Sequence, residues 1–163
     1  MAQADIQLQI PSAVFYIEPV RVFVGNLARS LGFSRKRVAD IQLVLDEICS
    51  NAVHHGSVDP TDSVKLHIGI DTHALEILVK DTGPQQAGKK SWLTDERLSE
   101  IETNRSPSNE RGHGIFIVKT LSDMHEMQPN EAGGTDVRVV FHFPKPSDIK
   151  NLILPRNFNS NKR

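Results

Sequence analysis

The stretch VKLHIGIDTHALEILVKDTG, residues 64–83, decides the fold class. Val64, Leu66, Ile68 and Ile70 alternate with Lys65, His67 and Gly69, and Leu75, Ile77 and Val79 alternate with Glu76, Leu78 and Lys80. A period of two marks strands with one buried face and one largely wet face. A doubly wound parallel sheet gives continuous apolar runs instead, because helices cover both of its faces. Ile6, Leu8 and Ile10 repeat the alternation near the start of the chain, and Val137, Val139, Phe141 and Phe143 repeat it further on. The expectation is an α+β, two-layer sandwich: a mostly antiparallel sheet covered on one face by helices.

Three segments have helical spacing. The first runs from Glu18 to Leu31, with Val20, Val24, Leu27 and Leu31 on one side. The second runs from Arg35 to His54, with Ser34 as N-cap, Gly56 as stop and an apolar stripe of Val38, Ile41, Leu45, Ile48 and Ala52. The third runs from Gly114 to Met124 and is rich in Ile115, Phe116, Ile117, Val118 and Leu121. Between the strands and this last helix lies a polar stretch, 82–111, with Gly83, Pro84, Gly88 and Pro107 and room for a short helix over 94–103. A loop of that length inside a compact domain usually serves function or is disordered. After Phe143 the proline-bearing, polar end of the chain reads as loosely structured.

The bulk composition removes several classes. The 163 residues suit one core. Lys and Arg number 19 against 20 Asp and Glu, which leaves a net charge of −1 and no nucleic-acid or membrane footprint. No apolar run approaches the roughly 18 residues of a membrane span. The opening MAQADIQLQIPSA lacks the basic and apolar regions of a secretory signal. One cysteine, Cys49, excludes an internal disulfide and fits a reducing cytoplasm.

Four groups of residues carry chemistry. In DEICSNAVHHG, residues 46–56, Glu47, Asn51 and His55 follow one another at helical spacing on the flank of the apolar stripe. Polar groups at a core edge need partners, and a metal ion with phosphates supplies them; a solvated helix face reads the same way. Asp81 keeps phase with Leu75, Ile77 and Val79, so its carboxylate points to the buried side, with Gly83 just beyond. That suits the exocyclic amine of a purine, or simply a turn-capping Asp. Thr135 keeps phase with Val137, Val139 and Phe141 after Gly133 and Gly134, as a ligand-facing hydroxyl or an ordinary strand start. Gly112 and Gly114 open an apolar helix beside Arg111; free amides and a helix dipole attract phosphate there, although a plain loop end has the same composition.

Their order within one small domain resembles the GHKL ATPases, which have the Bergerat fold, and in particular the anti-sigma serine/threonine kinases. Glu47, Asn51, His55 and Gly56 match the N box in its ExxxNAxxHG form. Asp81 and Gly83 match the first glycine box, Arg111, Gly112 and Gly114 the second, with His113 between them, and Thr135 the threonine near the final strand. The resemblance spans roughly residues 6–143. Gln85 departs from it, standing where the family often has a second glycine.

The resemblance implies an ATP-binding kinase domain over 1–145, with residues 82–111 as the ATP lid and 146–163 as a tail. It implies ATP and magnesium as cofactors. Glu47 is then the general base and Asn51 the magnesium ligand. Asp81 binds the adenine amine, assisted by Thr135 through a water, and Arg111 with the amides near Gly112 and Gly114 holds the phosphates. The implied substrate is a small STAS-type anti-anti-sigma protein, and the implied binding target is a sigma factor or similar regulator. A homodimer in the cytoplasm is also implied. Two other readings remain at this point: a nucleotide-gated binding switch with no phosphoryl transfer, and a detached histidine-kinase-type ATPase domain. His54, His67, His73, His113, His125 and His142 lack the spacing and companions of a zinc site.

Overall fold

The computed structural model describes residues 4–56, 61–83 and 113–143. Five strands make one sheet, β1 (Ala4–Pro11), β2 (Ser63–Ile70), β3 (Ala74–Lys80), β4 (Met124–Pro129) and β5 (Thr135–His142). Their spatial order is β1-β2-β3-β5-β4 and every pairing is antiparallel. Three α-helices accompany them among the described residues: α1 (Ile17–Ser30), entered through a 3-10 turn at Val14–Tyr16, α2 (Arg35–His55) and α3 (His113–Leu121). This is the expected two-layer α+β sandwich. The lid expected at 82–111, its short helix and the tail fall almost wholly outside the described residues.

Register explains why the alternation was so clean. Ile68 pairs with Ile6 on one side and Ile77 on the other, and Ile77 pairs in turn with Val139. Each such row points to the same face, so the apolar sets of four strands stack into one surface. Leu66, Ile68, Leu75, Ile77, Val139 and Phe141 are fully buried there. Helix α2 lies between α1 and α3 and touches β2, β3 and β5, which makes it the central element of the helical layer. Its Ile41, Val44, Leu45 and Ile48 carry the burial, as its stripe requires. Cys49 sits in the same core, where burial pushes its thiol up to about 12, so it acts as a small apolar filler.

The helix ends follow local chemistry. Ser34 Oγ accepts from the Arg37 amide at 3.2 Å, the N-cap anticipated from sequence. Helix α1 closes with Gly32 at φ +86, which lets the Phe33 amide reach back to the Ala28 carbonyl at 3.2 Å. Gly56 does end α2, but at φ −95, a conformation open to any residue. Its glycine is required by space, as described below.

One element differs from the sequence expectation. The third helix stops at Leu121, and Met124, assigned to its end, begins β4. Strand β4 is the sheet edge beside β5 and is wet on both faces, with Met127 alone half-buried, so no alternation betrays it. Arg37 of α2 fastens this junction. Its Nη1 donates to the Leu121 carbonyl at 2.7 Å, its Nη2 pairs with Asp123 at 2.6 Å, and its guanidinium lies 5.2 Å from the Phe141 ring centre. No helix among the described residues is long and apolar enough to cross a membrane.

Arg37→Ala is expected to cost about 2 kcal/mol in urea unfolding, because it orphans a helix-end carbonyl and a carboxylate together. Arg37→Lys recovers little of this, since an ammonium lacks the planar fork. A loss below about 0.5 kcal/mol would place the pair among ordinary surface ion pairs.

Candidate functional site

Strand β3 delivers Asp81 to the buried side of the sheet, in phase as expected, at 5% exposure. One oxygen, Oδ1, accepts the Gly83 amide at 2.9 Å and the Thr135 amide at 3.1 Å. Thr135 is itself 1% exposed, at the start of β5. Burial raises the Asp81 carboxyl to about 6; the two amides oppose that, and the like charge of Asp136 adds to it. Asp136 is paired with Lys80 at 2.8 Å.

Two glycines make the room for this carboxylate, and a third lets the loops beside it touch. A Cβ on Gly56 would stand 2.2 Å from Asp81 Cγ, and one on Gly134 would stand 2.3 Å from both the Asp81 carbonyl and its Oδ1. Gly83, at φ +65, lies so close to the Gly133 carbonyl that a Cβ there would meet it at 2.1 Å. The end of α2, the loop after β3 and the turn before β5 therefore converge on Asp81 with backbone alone.

The second part of the site is on α2. Glu47 and Asn51, one turn apart, are half-buried, while His55 is exposed at the helix end. Neither the Glu47 nor the Asn51 side chain has a hydrogen-bond or ion-pair partner among the described residues. Both face the first turn of α3: a Cβ on Gly114 would be 2.6 Å from Glu47 Oε2 and 3.5 Å from Asn51 Nδ2. Gly114 thus lets the first turn of α3 come against a carboxylate and a carboxamide. Arg111, Gly112 and the side chain of His113 lie outside the described residues.

These donors fit a nucleotide with magnesium. Asp81 is an acceptor held at the buried face of the sheet, and the neighbouring Thr82 hydroxyl is a buried polar atom with no partner among the described residues. Among the described residues no group of three or more His, Cys, Asp and Glu could cage a metal. A single Asn51 oxygen matches magnesium, which commonly takes one or two protein ligands and completes its shell with phosphates and water.

Sequence reasoning missed Asn130, Asp136 and Thr82. Asn130, in the β4–β5 turn, donates from Nδ2 to the Asp81 carbonyl at 2.8 Å and to Asp136 at 2.9 Å. An Asn before a Gly-Gly pair reads as ordinary turn chemistry, and nothing in the sequence marks it as a neighbour of residue 81.

Over residues 10–141 the chain matches the histidine kinase-like ATPase domain family. It is similar to the serine-protein kinase RsbW of Bacillus licheniformis, with 25% identity over 130 residues, 76% of this chain and 77% of that protein. It is also similar to the RsbW of Bacillus subtilis (strain 168), with 26% identity over 137 residues, 80% of this chain and 81% of that protein. The RsbW of Bacillus velezensis is 26% identical over 132 residues, covering 77% of this chain and 78% of its own length.

The raised Asp81 carboxyl has a consequence for stability. The folded protein holds this proton up to about pH 6, whereas the unfolded chain releases it near 3.8. Between those values the folded state binds more protons, so Asp81 removes stability as pH rises through the window. Asp81→Asn is therefore expected to be more stable than wild type at pH 7, by about 1 kcal/mol, with the gain shrinking as pH falls toward about 4. Urea unfolding across that range reads it. A mutant less stable at pH 7 would mean that the carboxylate serves the fold.

Proposed function

The chain belongs to the histidine kinase-like ATPase domain family, and from that premise we propose that it is an ATP-dependent protein-serine/threonine kinase. Its proposed substrate is a small STAS-type anti-anti-sigma protein, and its proposed second role is to hold a sigma factor or similar regulator in the cytoplasm. The observation that carries the reading is the approach of Glu47 Oε2 and Asn51 to Gly114 at the first turn of α3. A carboxylate beside a phosphate-attracting helix end is where a hydroxyl must lose its proton to attack a terminal phosphate.

ATP and its magnesium ion supply the phosphoryl group and the charge neutralisation that such a transfer needs. The rest falls to the chain. Asp81 accepts the adenine amine, and Thr135 assists from the same wall. Asn51 holds the metal through its side-chain oxygen. The α3 amides, with Arg111 and Gly112, orient the phosphates. Glu47 takes the proton of the partner's seryl or threonyl hydroxyl while the new oxygen–phosphorus bond forms and ADP leaves with the bridging oxygen. Residues 82–111 act as a lid over the nucleotide, with Gln85 inside it. A homodimer is part of the proposal by likeness to the family.

Two substitutions separate recognition from chemistry. Asp81→Asn is expected to weaken ATP and ADP alike, by roughly 1.5–3 kcal/mol, because the adenine contact is common to both. Glu47→Gln keeps shape and hydrogen bonding. It is expected to bind ATP and its protein partner nearly normally while transfer of labelled phosphate to a STAS-type protein falls by roughly a hundredfold or more. Unchanged transfer in Glu47→Gln removes it as the base. Tight ATP binding by the wild type, with no transfer to any STAS-type protein, moves the reading to a nucleotide-gated binding switch.

A further inference from the structure

The pairing of β3 with β5 breaks its own rule one residue beyond its end. The ladder runs regularly to Lys80 opposite Asp136. At the next step the Asp81 amide donates to the Thr135 carbonyl at 3.2 Å, as one half of a regular hydrogen-bonded pair. In such a pair the Thr135 amide returns the bond to the Asp81 carbonyl. Here it does not. The Thr135 amide donates to the Asp81 carboxylate at 3.1 Å, and the abandoned Asp81 carbonyl is taken by Asn130 Nδ2 at 2.8 Å.

We propose that Asn130 is a positioning residue for nucleotide recognition: by capping the Asp81 carbonyl, it releases the Thr135 amide to fix the Asp81 carboxylate. The inference rests on the reading of Asp81 as the adenine acceptor. The rest of the turn is built for the same task. Asn130 Oδ1 accepts the Ala132 amide at 3.1 Å and the Gly134 amide at 2.9 Å. The second proton of its Nδ2 goes to Asp136 at 2.9 Å, and Lys80 holds that carboxylate from the other side. Both donors and the acceptor of this amide are therefore engaged, so its orientation is set. Gly134 lies flush against Asp81, where any side chain would collide with its carbonyl and carboxylate. A buried carbonyl without a donor is costly. Removing Asn130 therefore favours return of the Thr135 amide to the ladder, and the Asp81 carboxylate loses one of its two amides.

The variants are Asn130→Ala and Asn130→Ser. Serine leaves an acceptor for the turn amides but is too short to reach the Asp81 carbonyl. Two readouts apply: ADP affinity by calorimetry, and titration of the Asp81 carboxyl by carbon-detected NMR without nucleotide. In both variants the Asp81 titration is expected to move above its wild-type midpoint, because an amide that favours the ionised form is lost. ADP and ATP are expected to weaken together by about tenfold. A variant that folds, titrates Asp81 as wild type does and binds ADP within about twofold overturns the proposal; so does a wild-type Asp81 midpoint in the serine variant if the alanine variant fails to fold. If Asn130→Ser moves the Asp81 midpoint but Asp81→Asn leaves ADP affinity unchanged, the adenine reading fails and the role of Asn130 in recognition is overturned with it. If Asp81→Asn weakens ADP and Asn130→Ser does not, the positioning claim alone is lost.

Discussion

Asp81 is held at the buried face of a sheet by two backbone amides on a single oxygen. A carboxylate in that position tends to keep its proton, and its ionised form weighs against the fold at neutral pH. The surroundings are shaped by the need to hold it. Two segments distant in sequence approach it through Gly56 and Gly134, and Gly83 lets the loop after β3 lie against the Gly133 backbone; none of the three could carry a side chain there without displacement. Asn130 completes the arrangement by occupying the carbonyl that the ladder gives up. A stability cost maintained by so many separate concessions is characteristic of a binding site, since a fold selected for stability alone has no need of the charge.

Helix α2 connects this carboxylate to the chemistry. Its apolar stripe fixes its rotation over the sheet, and that rotation sets Glu47 and Asn51 on the flank toward α3 while its end brings Gly56 to Asp81. One rigid element thus sets both the depth at which Asp81 sits and the place where α3 meets Glu47 and Asn51. Arg37, at the other end of α2, ties down the junction of α3 with β4. Arg37 thus braces α3 at Leu121, the end opposite the turn that meets Glu47.

Much of this was legible in the chain. Alternation identified four of the five strands because each packs one face on the core, and phase placed Asp81 and Thr135 on the buried side before any coordinates. Helical spacing put Glu47 and Asn51 on one flank. Strand β4 was illegible because an edge strand wet on both faces carries no period, and its Met124 passed for the end of a helix. Gly56 reads in the sequence as a conformational stop, but at φ −95 any residue could stand there, and crowding against Asp81 is the reason for glycine. Asn130 could not be found at all: its role depends on a cross-strand hydrogen bond to residue 81, and sequence spacing holds no record of which carbonyl a ladder leaves unpaired.

The central claim is that nucleotide lies between the Asp81 wall and the meeting of α2 with α3. Titrating ADP with magnesium into the labelled protein, and following backbone amides by NMR, tests it most directly. If nucleotide lies there, saturable shifts are centred on Asn51, Gly83, Gly114 and Thr135, and the exposed residues Val14, Phe15 and Val22 around the start of α1 stay unchanged. Shifts concentrated at those exposed residues, or saturable binding that leaves Gly83 and Thr135 unmoved, would contradict it.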